Sequence, residues 1–494
     1  MKVAILFLTG LATFAISLPT PSNAEVLSQR AIYERCFAKL ARTTPAIDDP
    51  YISQITAGTL TGPEACKAVL ELAQLNPANG RLSTFAASAA KALLAKKVLA
   101  SMHAFHNSWF TLKEYNSATN DCASDLSNGL IDPQTPALLV TRALFNSNFN
   151  YASLVLSSDV PKAIREVADP DRSIYGFDKN KAGADFTSLP TGFEFVGNGA
   201  LLGIGTWASL QIPTLTARPV ITGDTPTVQN FNVRRSQGGG ILGSQAYLLN
   251  NFGENATVPP DVEKMARHWS KYVFTDLFCR ELPVLNTGDA DSFVNTATTA
   301  LAFRRQAACV QCHASMDQLA GVVRNQRLFR SGICSQVQDI YGSEHLLAQA
   351  PTLAMSTAWP AMVDANYRKH PPYGKLFYRD YNNALHNVAV NSLAELGTQI
   401  STLNDMYVCA AKRYYQYFTG IDVSLEPLNA AGVAALPADQ RFYRNRVVSL
   451  GMKLKNAGAT DFNKDASKLI QAIFDLPEYR DRDFQLTLKS QGAP

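Results

Sequence analysis

The chain has 494 residues, of which 46% are hydrophobic and 17% charged, and its formal net charge is +4. This composition is that of an ordinary globular protein with room for two or three domains, and it excludes a fibrous or disordered chain. The small net charge comes without a basic run, so neither nucleic acid nor an anionic membrane surface is predicted as a partner.

The N-terminus predicts export. Lys2 supplies a short positive region, residues 3–18 are apolar, and residues 22–24 form a small-residue cleavage site. We therefore predict a signal peptide over 1–24 and a periplasmic, extracellular or cell-surface location in a bacterium. A later apolar run over 199–215 is interrupted by glycine and proline, so no integral membrane segment is predicted in the mature chain.

Apolar residues at helical spacing dominate the remaining sequence. These amphipathic runs predict helices over 83–111, 136–154, 260–282, 395–420 and 466–476. Residues 169–251 are rich in Gly, Pro, Thr and Asp, which predicts loops with a few short strands. The sequence therefore predicts a mainly α protein with a loop-rich middle segment.

The segment Cys309-Val310-Gln311-Cys312-His313 carries the strongest chemical signal. Cys-x-x-Cys-His is the attachment signature of a c-type haem, and this composition yields it by chance only roughly 0.002 times per chain. On a helix the three side chains fall at i, i+3 and i+4 and share one face. We predict one haem c, covalently attached through Cys309 and Cys312, with His313 as the proximal iron ligand.

Two other uses of the cysteine pair agree less well with the sequence. A thioredoxin-like redox pair follows a β-strand and opens a helix, whereas residues 295–305 predict a helix that runs into the motif. A structural zinc site needs a second pair of ligands, and the chain has no other Cys-x-x-Cys. Covalent haem attachment outside the cytoplasm also agrees with the predicted signal peptide.

The motif and the helical runs predict four segments in the mature chain. They are an N-terminal helical domain over 25–168, a loop-rich segment with short strands over 169–258, a cytochrome-c-like haem-binding region over 259–425 and C-terminal helices over 426–494. The predicted fold is thus a mainly α body of several helical segments around the haem-binding region.

Several segments resemble the planctomycete-type cytochrome-c-like proteins, large exported bacterial proteins of uncharacterised function. The sequence from Cys312 to Asp317, Cys-His-Ala-Ser-Met-Asp, is similar to the family's extended motif, although Gln318 replaces the usual proline. The resemblance implies haem and export but no substrate, and 325–375 looks like an insertion. It covers about residues 80–485 and is carried outside the motif by 105–112, 139–176, 240–246, 260–283, 409–420 and 469–480.

An even number of cysteines remains outside the motif, which predicts three disulfides in an exported chain among 15 possible connectivities. Cys36 and Cys66 lie in two neighbouring predicted helices, so we predict that they pair. The family resemblance implies a pair between Cys279 and Cys409, which fall at positions that look like family cysteines. It leaves Cys122 to pair with Cys334.

Two weaker patterns have structural interpretations. The run Gly238-Gly239-Gly240 is interpreted as a flexible entry into the following helix rather than an anion cradle. His103 and His106, at i and i+3, are interpreted as a polar edge of a packed helix rather than metal ligands.

The residue opposite His313 on the iron decides the function. Met316 lies on the same helix as His313, so it cannot reach the other side of the haem. Met355, in a proline-bounded loop, is the first candidate for the distal iron ligand. The alternatives are Met362, His345, His370, His386 and His106.

We expect a monohaem c-type cytochrome that passes single electrons to or from a redox partner protein, with the larger body serving docking or assembly. One alternative is a haem-dependent oxidoreductase with an open distal site, either peroxidase-like or oxidising a small molecule. A second is a surface or assembly protein with structural haem. The single attachment motif argues against a dihaem peroxidase. Enzymatic activity stays open at this point.

Overall fold

The structure is a computed structural model, and it describes residues 26–78, 80–84, 88–110, 134–158, 160–165, 190–196, 231–232, 236–251, 262–330, 344–359 and 366–482. The first eight helices in this part of the chain are α1 (Gln29–Ala41), α2 (Pro50–Thr56), α3 (Gly62–Glu71), α4 (Ala89–Asn107), α5 (Thr135–Phe145), α6 (Ser153–Leu156), α7 (Gln245–Asn250) and α8 (Val262–Phe278). The following eight are α9 (Thr287–Ala290), α10 (Ala307–Ala320), α11 (Leu393–Thr402), α12 (Asn404–Thr419), α13 (Ala430–Ala435), α14 (Ala438–Lys455), α15 (Ala466–Phe474) and α16 (Pro477–Arg480).

The strands form three small antiparallel sheets within the described ranges. They are β1 (Val160–Arg165), β2 (Pro190–Val196), β3 (Phe231–Asn232), β4 (Gln326–Arg330), β5 (Glu344–Gln349), β6 (Gly374–Arg379) and β7 (Leu385–Val390). β1 pairs with β2, β5 lies between β3 and β4, and β6 and β7 form a hairpin. The predicted mainly α class is confirmed, and β2 and β3 are short strands within the segment predicted to be loop-rich.

One continuous buried core joins both ends of the described chain. It extends from Ile32 in α1 to Tyr479 in α16, and both side chains are fully buried. Arg35 links these ends, because its guanidinium donates to the Tyr479 carbonyl (2.7 Å) and to the Thr419 carbonyl (3.0 Å). α12 is central, and α8, α14 and α15 pack against it. The predicted boundaries at residues 168 and 258 lie outside the described ranges, so the domain division stays a prediction.

The two N-terminal helices that carry cysteines form where the sequence predicts them. Thr61 and Glu64 make a capping box that satisfies backbone N–H groups at the start of α3. Cys36 of α1 and Cys66 of α3 form a disulfide, with their Cα atoms 5.9 Å apart. The predicted Cys36–Cys66 pair is therefore confirmed.

A second disulfide joins Cys279, just after α8, to Cys409 of α12. This is the pair that the family resemblance implied, and it is confirmed. Cys122 and Cys334 lie outside the described residues, so the third disulfide stays a prediction.

Two of the predicted helices are interrupted. The run 395–420 divides into α11 and α12 because Leu403 is extended (φ −80°, ψ 146°). Within the run 136–154, α5 ends at Phe145, whose carbonyl accepts a hydrogen bond from the Leu75 N–H (2.7 Å). Apolar periodicity continues through both breaks, so the sequence pattern does not show them. The runs assigned to α4, α8 and α15 form single helices in the predicted regions.

The glycine run before α7 is a closely packed turn, and the prediction of a flexible helix entry is wrong. Gly238, Gly239 and Gly240 have φ values of 91°, 69° and 59°, a region that favours glycine. A Cβ atom on Gly239 would overlap the Leu393 carbonyl, and one on Gly240 would overlap the Leu154 carbonyl. The three glycines therefore let this turn pack directly onto the backbone of α6 and α11.

Across the described ranges, no helix combines the length and the apolar character needed to span a membrane. The predicted signal peptide, 1–24, and the interrupted apolar run, 199–215, both lie outside those ranges.

Candidate functional site

The Cys-x-x-Cys-His motif lies on α10, which begins after the extended residue Gln306 (φ −129°, ψ 127°). Cys309, Cys312 and His313 fall within an arc of about 100° around the helix axis. The opposite side of α10 packs against the protein body through Val310 and Ala314. The three motif side chains therefore share the face that points away from this packing. The small apolar cluster under the motif consists of Val310, Ala314, Leu285, Ala290 and Phe377.

Neither motif cysteine forms a disulfide and both are partly exposed, whereas the other four described cysteines are paired in disulfides. Burial, and then the neighbouring Cys309, raise the pKa of the Cys312 thiol. In the described part of the chain, no group of three or more His, Cys, Asp and Glu side chains is arranged to hold a bare metal ion.

His313 is oriented by a buried carboxylate one helical turn further along α10. Its Nδ1 lies 2.9 Å from Oδ2 of Asp317. Arg267 of α8 donates from Nε to Oδ1 of Asp317 (2.8 Å) and from Nη2 to Oδ2 (3.2 Å). The Asp317 side chain is fully buried, whereas that of His313 is 23% exposed. With Nδ1 engaged, Nε2 is the nitrogen that His313 presents to a ligand.

Aromatic side chains line the approach to this imidazole. Phe303 stacks on His313 with ring centroids 4.2 Å apart. The ring centroids of Trp359 and Phe303 are 6.2 Å apart. The Arg304 guanidinium lies over the Trp359 ring, 4.7 Å from its centroid. The indole Nε1–H of Trp359 is buried and has no hydrogen-bond partner among the described residues. The site therefore combines aromatic surface with one unused buried donor.

The segment before the motif is not the helix that the sequence predicts. Residues 295–301 are irregular, and only a short 3₁₀ helix, Ala302–Arg305, precedes α10. The side chain of Arg305 donates to the carbonyls of Thr298 and Ala300. A guanidinium therefore donates to carbonyls that would accept hydrogen bonds from backbone N–H groups in a helix. No strand replaces the helix in this segment, so the thioredoxin-like arrangement is absent as well.

The loop that carries Met355 passes beside the C-terminal end of α10. Met355 is 46% exposed, and its sulfur lies 3.6 Å from Nη2 of Arg324, just beyond that helix. Trp359, on the same loop, reaches Phe303 beside His313. The structure thus brings the predicted loop to the motif region, and the assignment of Met355 as distal ligand stays a prediction.

Among the alternative distal ligands, His106 is the most enclosed. It is fully buried, with Nε2 2.8 Å from the Tyr414 hydroxyl and Nδ1 2.8 Å from the Thr141 hydroxyl. Burial lowers the pKa of His106 well below its usual value, so the ring is neutral. His103 also approaches Thr141 (3.4 Å) and is buried. The two histidines on α4 thus make packing contacts, as predicted, but inside the core.

The remaining candidates lie further along the chain. His370 Nδ1 is bound to the Ala354 carbonyl, and His386 Nε2 lies 3.2 Å from Oδ2 of Asp380. Met362 and the side chain of His345 lie outside what the structure describes.

Sequence reasoning missed three contributors to the site: Arg267, Phe303 and Trp359. Asp317 could have been paired with His313, because residues at i and i+4 are neighbours on a helix. Arg267 lies 50 residues before Asp317, and no spacing rule relates them. Only the packing of α8 against α10 brings this guanidinium to the carboxylate.

No protein-family model, curated protein or solved structure matches this chain. Its site is therefore interpreted from its own residues and their geometry.

Proposed function

We propose that this chain is an exported bacterial c-type cytochrome that holds one covalent haem c on α10 and exchanges single electrons with a protein partner. The observation that carries the proposal is that Cys309, Cys312 and His313 share one outward helix face and that neither cysteine is paired in a disulfide. Thioether attachment consumes thiols, and one imidazole nitrogen supplies the proximal iron ligand. The two disulfides elsewhere are typical of an oxidising compartment and support export.

The residues around the motif fit a haem. Cys309 and Cys312 would hold it by thioether bonds, and His313 presents Nε2 because Asp317 engages Nδ1. The buried Trp359 N–H is a donor of the kind that a haem carboxylate accepts. When bound, the haem supplies a one-electron iron couple whose potential depends on ligands, hydrogen bonds and burial. The chain's own residues Asp317 and Phe303 orient the His313 ring.

The relationship to planctomycete-type cytochrome-c-like proteins is part of this proposal. It rests on the extended motif that ends at Asp317, and the Cys279–Cys409 disulfide that the resemblance implied supports it. We further propose Met355 as the distal ligand, which makes the protein an electron carrier before it is a catalyst. A filled distal position leaves no ready place for peroxide or a small substrate.

Haem attachment is the first test. The full chain, produced in a bacterium with haem-attachment machinery, should give a haem-stained band on a denaturing gel and one haem per chain by pyridine haemochrome. The double variant Cys309→Ala/Cys312→Ala should lose both signals. The matched control, Cys36→Ser/Cys66→Ser, also removes two sulfurs and should keep both, because those residues lie away from α10. A parent chain with the mass of the polypeptide alone would refute the proposal.

Carbon monoxide separates the electron carrier from the open-site oxidoreductase. The reduced protein with a filled distal position should bind carbon monoxide slowly and should not turn over peroxide. Rapid binding together with peroxide turnover would replace the carrier by the enzyme. Stable haem with no electron exchange would favour a structural role in a surface or assembly protein.

A further inference from the structure

We infer that Asp317 is the positioning residue of the proposed haem site. Its carboxylate, held by Arg267, accepts the Nδ1 proton of His313 and makes Nε2 a stronger and better oriented donor. The inference rests on the proposed function and deepens it, because it assigns the residue that sets the strength of the proximal ligand.

The geometry around Asp317 is that of a built contact. Oδ2 of Asp317 lies 2.9 Å from His313 Nδ1, and the two Arg267 bonds of 2.8 and 3.2 Å reach both carboxylate oxygens. Two parallel guanidinium bonds fix both the position and the plane of a carboxylate. The Asp317 side chain is fully buried, so water does not compete for these oxygens. The carboxylate is therefore held in one place before any haem is attached.

One further contact restrains the imidazole itself, and a buried cluster holds the helix that carries it. Phe303 stacks on the His313 ring at 4.2 Å with an interplanar angle of 23°, which limits rotation of the ring. On the other side of α10, Val310 and Ala314 are buried in the apolar cluster and hold the helix in place. The ring is thus restrained by a hydrogen bond at one edge and by an aromatic ring on one face.

A carboxylate partner has a definite electronic consequence. A hydrogen bond from the second nitrogen of a ligating histidine to a carboxylate raises the basicity of the ligand. A more basic axial ligand favours ferric over ferrous iron, so the reduction potential falls. Asp317 should therefore hold the potential below the value that a neutral acceptor at the same position would give.

The test uses Asp317→Asn, which keeps the shape and an acceptor oxygen but removes the charge. We expect the one-electron reduction equilibrium to shift about tenfold toward the ferrous form, which is about 59 mV. Asp317→Glu, which restores a carboxylate, should return most of that shift. The charge-matched control is Asp291→Asn, in the exposed 3₁₀ turn that contacts α10 without touching His313. It should move the potential by much less.

A second readout needs no haem. In the full-length Cys309→Ala/Cys312→Ala chain, ¹⁵N-histidine NMR should show His313 mainly as the Nδ1–H tautomer. Asp317→Asn should increase the Nε2–H fraction, and Asp291→Asn should leave it unchanged. If haem is not attached to the parent, the proposed function fails while this readout still reports on the contact. If haem is attached but Asp317→Asn shifts the potential no more than Asp291→Asn, the inference alone is overturned.

Discussion

Two histidines show how partners decide what a residue can do. His313 uses only Nδ1 in a hydrogen bond and leaves Nε2 to face outward from α10. His106 uses both ring nitrogens, with Tyr414 and Thr141, inside the core. A distal role for His106 would require breaking at least one of these buried hydrogen bonds, which would leave a buried hydroxyl without its partner. The contrast favours a ligand from an exposed loop, such as Met355, over one from the core.

Replacing Met355 tests the distal ligand. In Met355→Ala, the weak near-infrared sulfur-to-iron band of the oxidised protein should disappear and the potential should fall, because methionine ligation raises the potential. The matched control is Met316→Ala, which removes a thioether from α10 on the proximal side and should keep the band. An unchanged spectrum in Met355→Ala would assign the distal position to another residue.

Asp276 should make stability depend on pH. Burial raises the pKa of Asp276 to about 7, and one of its oxygens has no hydrogen-bond partner among the described residues. Between pH 4 and 7 the folded chain keeps a proton that the unfolded chain loses, so stability falls as the pH rises and levels off above 7. This loss of stability amounts to up to about 4 kcal/mol. Asp276→Asn should abolish it, because an amide does not ionise.

Thermal midpoints of the parent and of Asp276→Asn at pH 5 and pH 8 provide the measurement. The thermal midpoint of Asp276→Asn minus that of the parent should be larger at pH 8 than at pH 5. The partners of the carboxyl are Tyr247, whose hydroxyl donates to it at 3.1 Å, and the nearby charges of Arg413 and Glu281. A difference between variant and parent that is constant with pH would contradict the raised pKa.

At the scale of elements, the motif helix owes its position to neighbours from distant parts of the chain. α8 supplies Arg267, and β6 supplies Phe377 beneath the motif. The glycine turn at 238–240 has a similar structural role, because it allows α6 and α11 to approach closely. Both features depend on close contacts between elements. Single substitutions there should therefore lower the free energy of unfolding by more than local helix propensity implies.

Gly240→Ala tests the close contact at the turn. The added Cβ would meet the Leu154 carbonyl at a positive φ, so we expect a loss of at least about 3 kcal/mol in the free energy of unfolding. Gly58→Ala is the matched control, because Gly58 also has a positive φ (69°) but has nothing within 4 Å of the added atom. It should cost about 1 kcal/mol by urea unfolding. Equal losses would mean that backbone strain, not packing, is the cause.

The Cys36–Cys66 disulfide should stabilise the two N-terminal helices that it joins. It closes a loop with a sequence separation of 30. A loop of that size contributes about 3 to 4 kcal/mol by restricting the unfolded chain. Cys36→Ser/Cys66→Ser should therefore lower the urea midpoint, and a reductant should lower the midpoint of the parent toward that of the variant. A variant with the parent's midpoint would show that the bond adds no stability.

At the scale of the whole molecule, charge is unevenly distributed. Residues 292–379, which contain the motif, hold nine Lys and Arg against four Asp and Glu, a net charge of +5. The whole chain carries +4, so the remaining residues together carry −1. Arg305 just before the motif helix is exposed, and Lys375 lines the same cleft as Asp317 and Trp359. The sequence stretch 292–379 is therefore a basic region, with the acidic residues Asp289 and Asp291 just before it.

This distribution predicts how electron transfer responds to salt. Reduction by the anion ferrocyanide should slow as ionic strength rises, because salt screens its attraction to the basic region. Reduction by a cationic ruthenium ammine complex should accelerate under the same conditions. Arg305→Gln should weaken both dependences, whereas Lys91→Gln, on α4, should leave them unchanged. Identical salt responses for the two reagents would place the exposed haem edge outside the basic region.

Local spacing and local propensity were enough to predict several features of this protein. The three motif residues needed only the helical repeat to share a face, and the short separation of 30 residues between two predicted helices was enough to predict the Cys36–Cys66 pair. The mainly α class followed from apolar periodicity, which reports burial along one element. These properties depend on residues that are near one another in the chain.

Tertiary structure alone decided the features that join distant segments. Leu75 accounts for the end of α5 through a bond to Phe145, and Arg305 binds the carbonyls of the segment predicted to be helical. Arg267 of α8 donates to Asp317 of α10. Met355, on a separate loop, contacts Arg324 just beyond the end of α10. Each of these contacts requires two segments to be folded against each other, and a one-dimensional pattern carries no information about that distance. The motif thus predicted the chemistry, while packing decided that Nδ1 of His313 contacts Asp317.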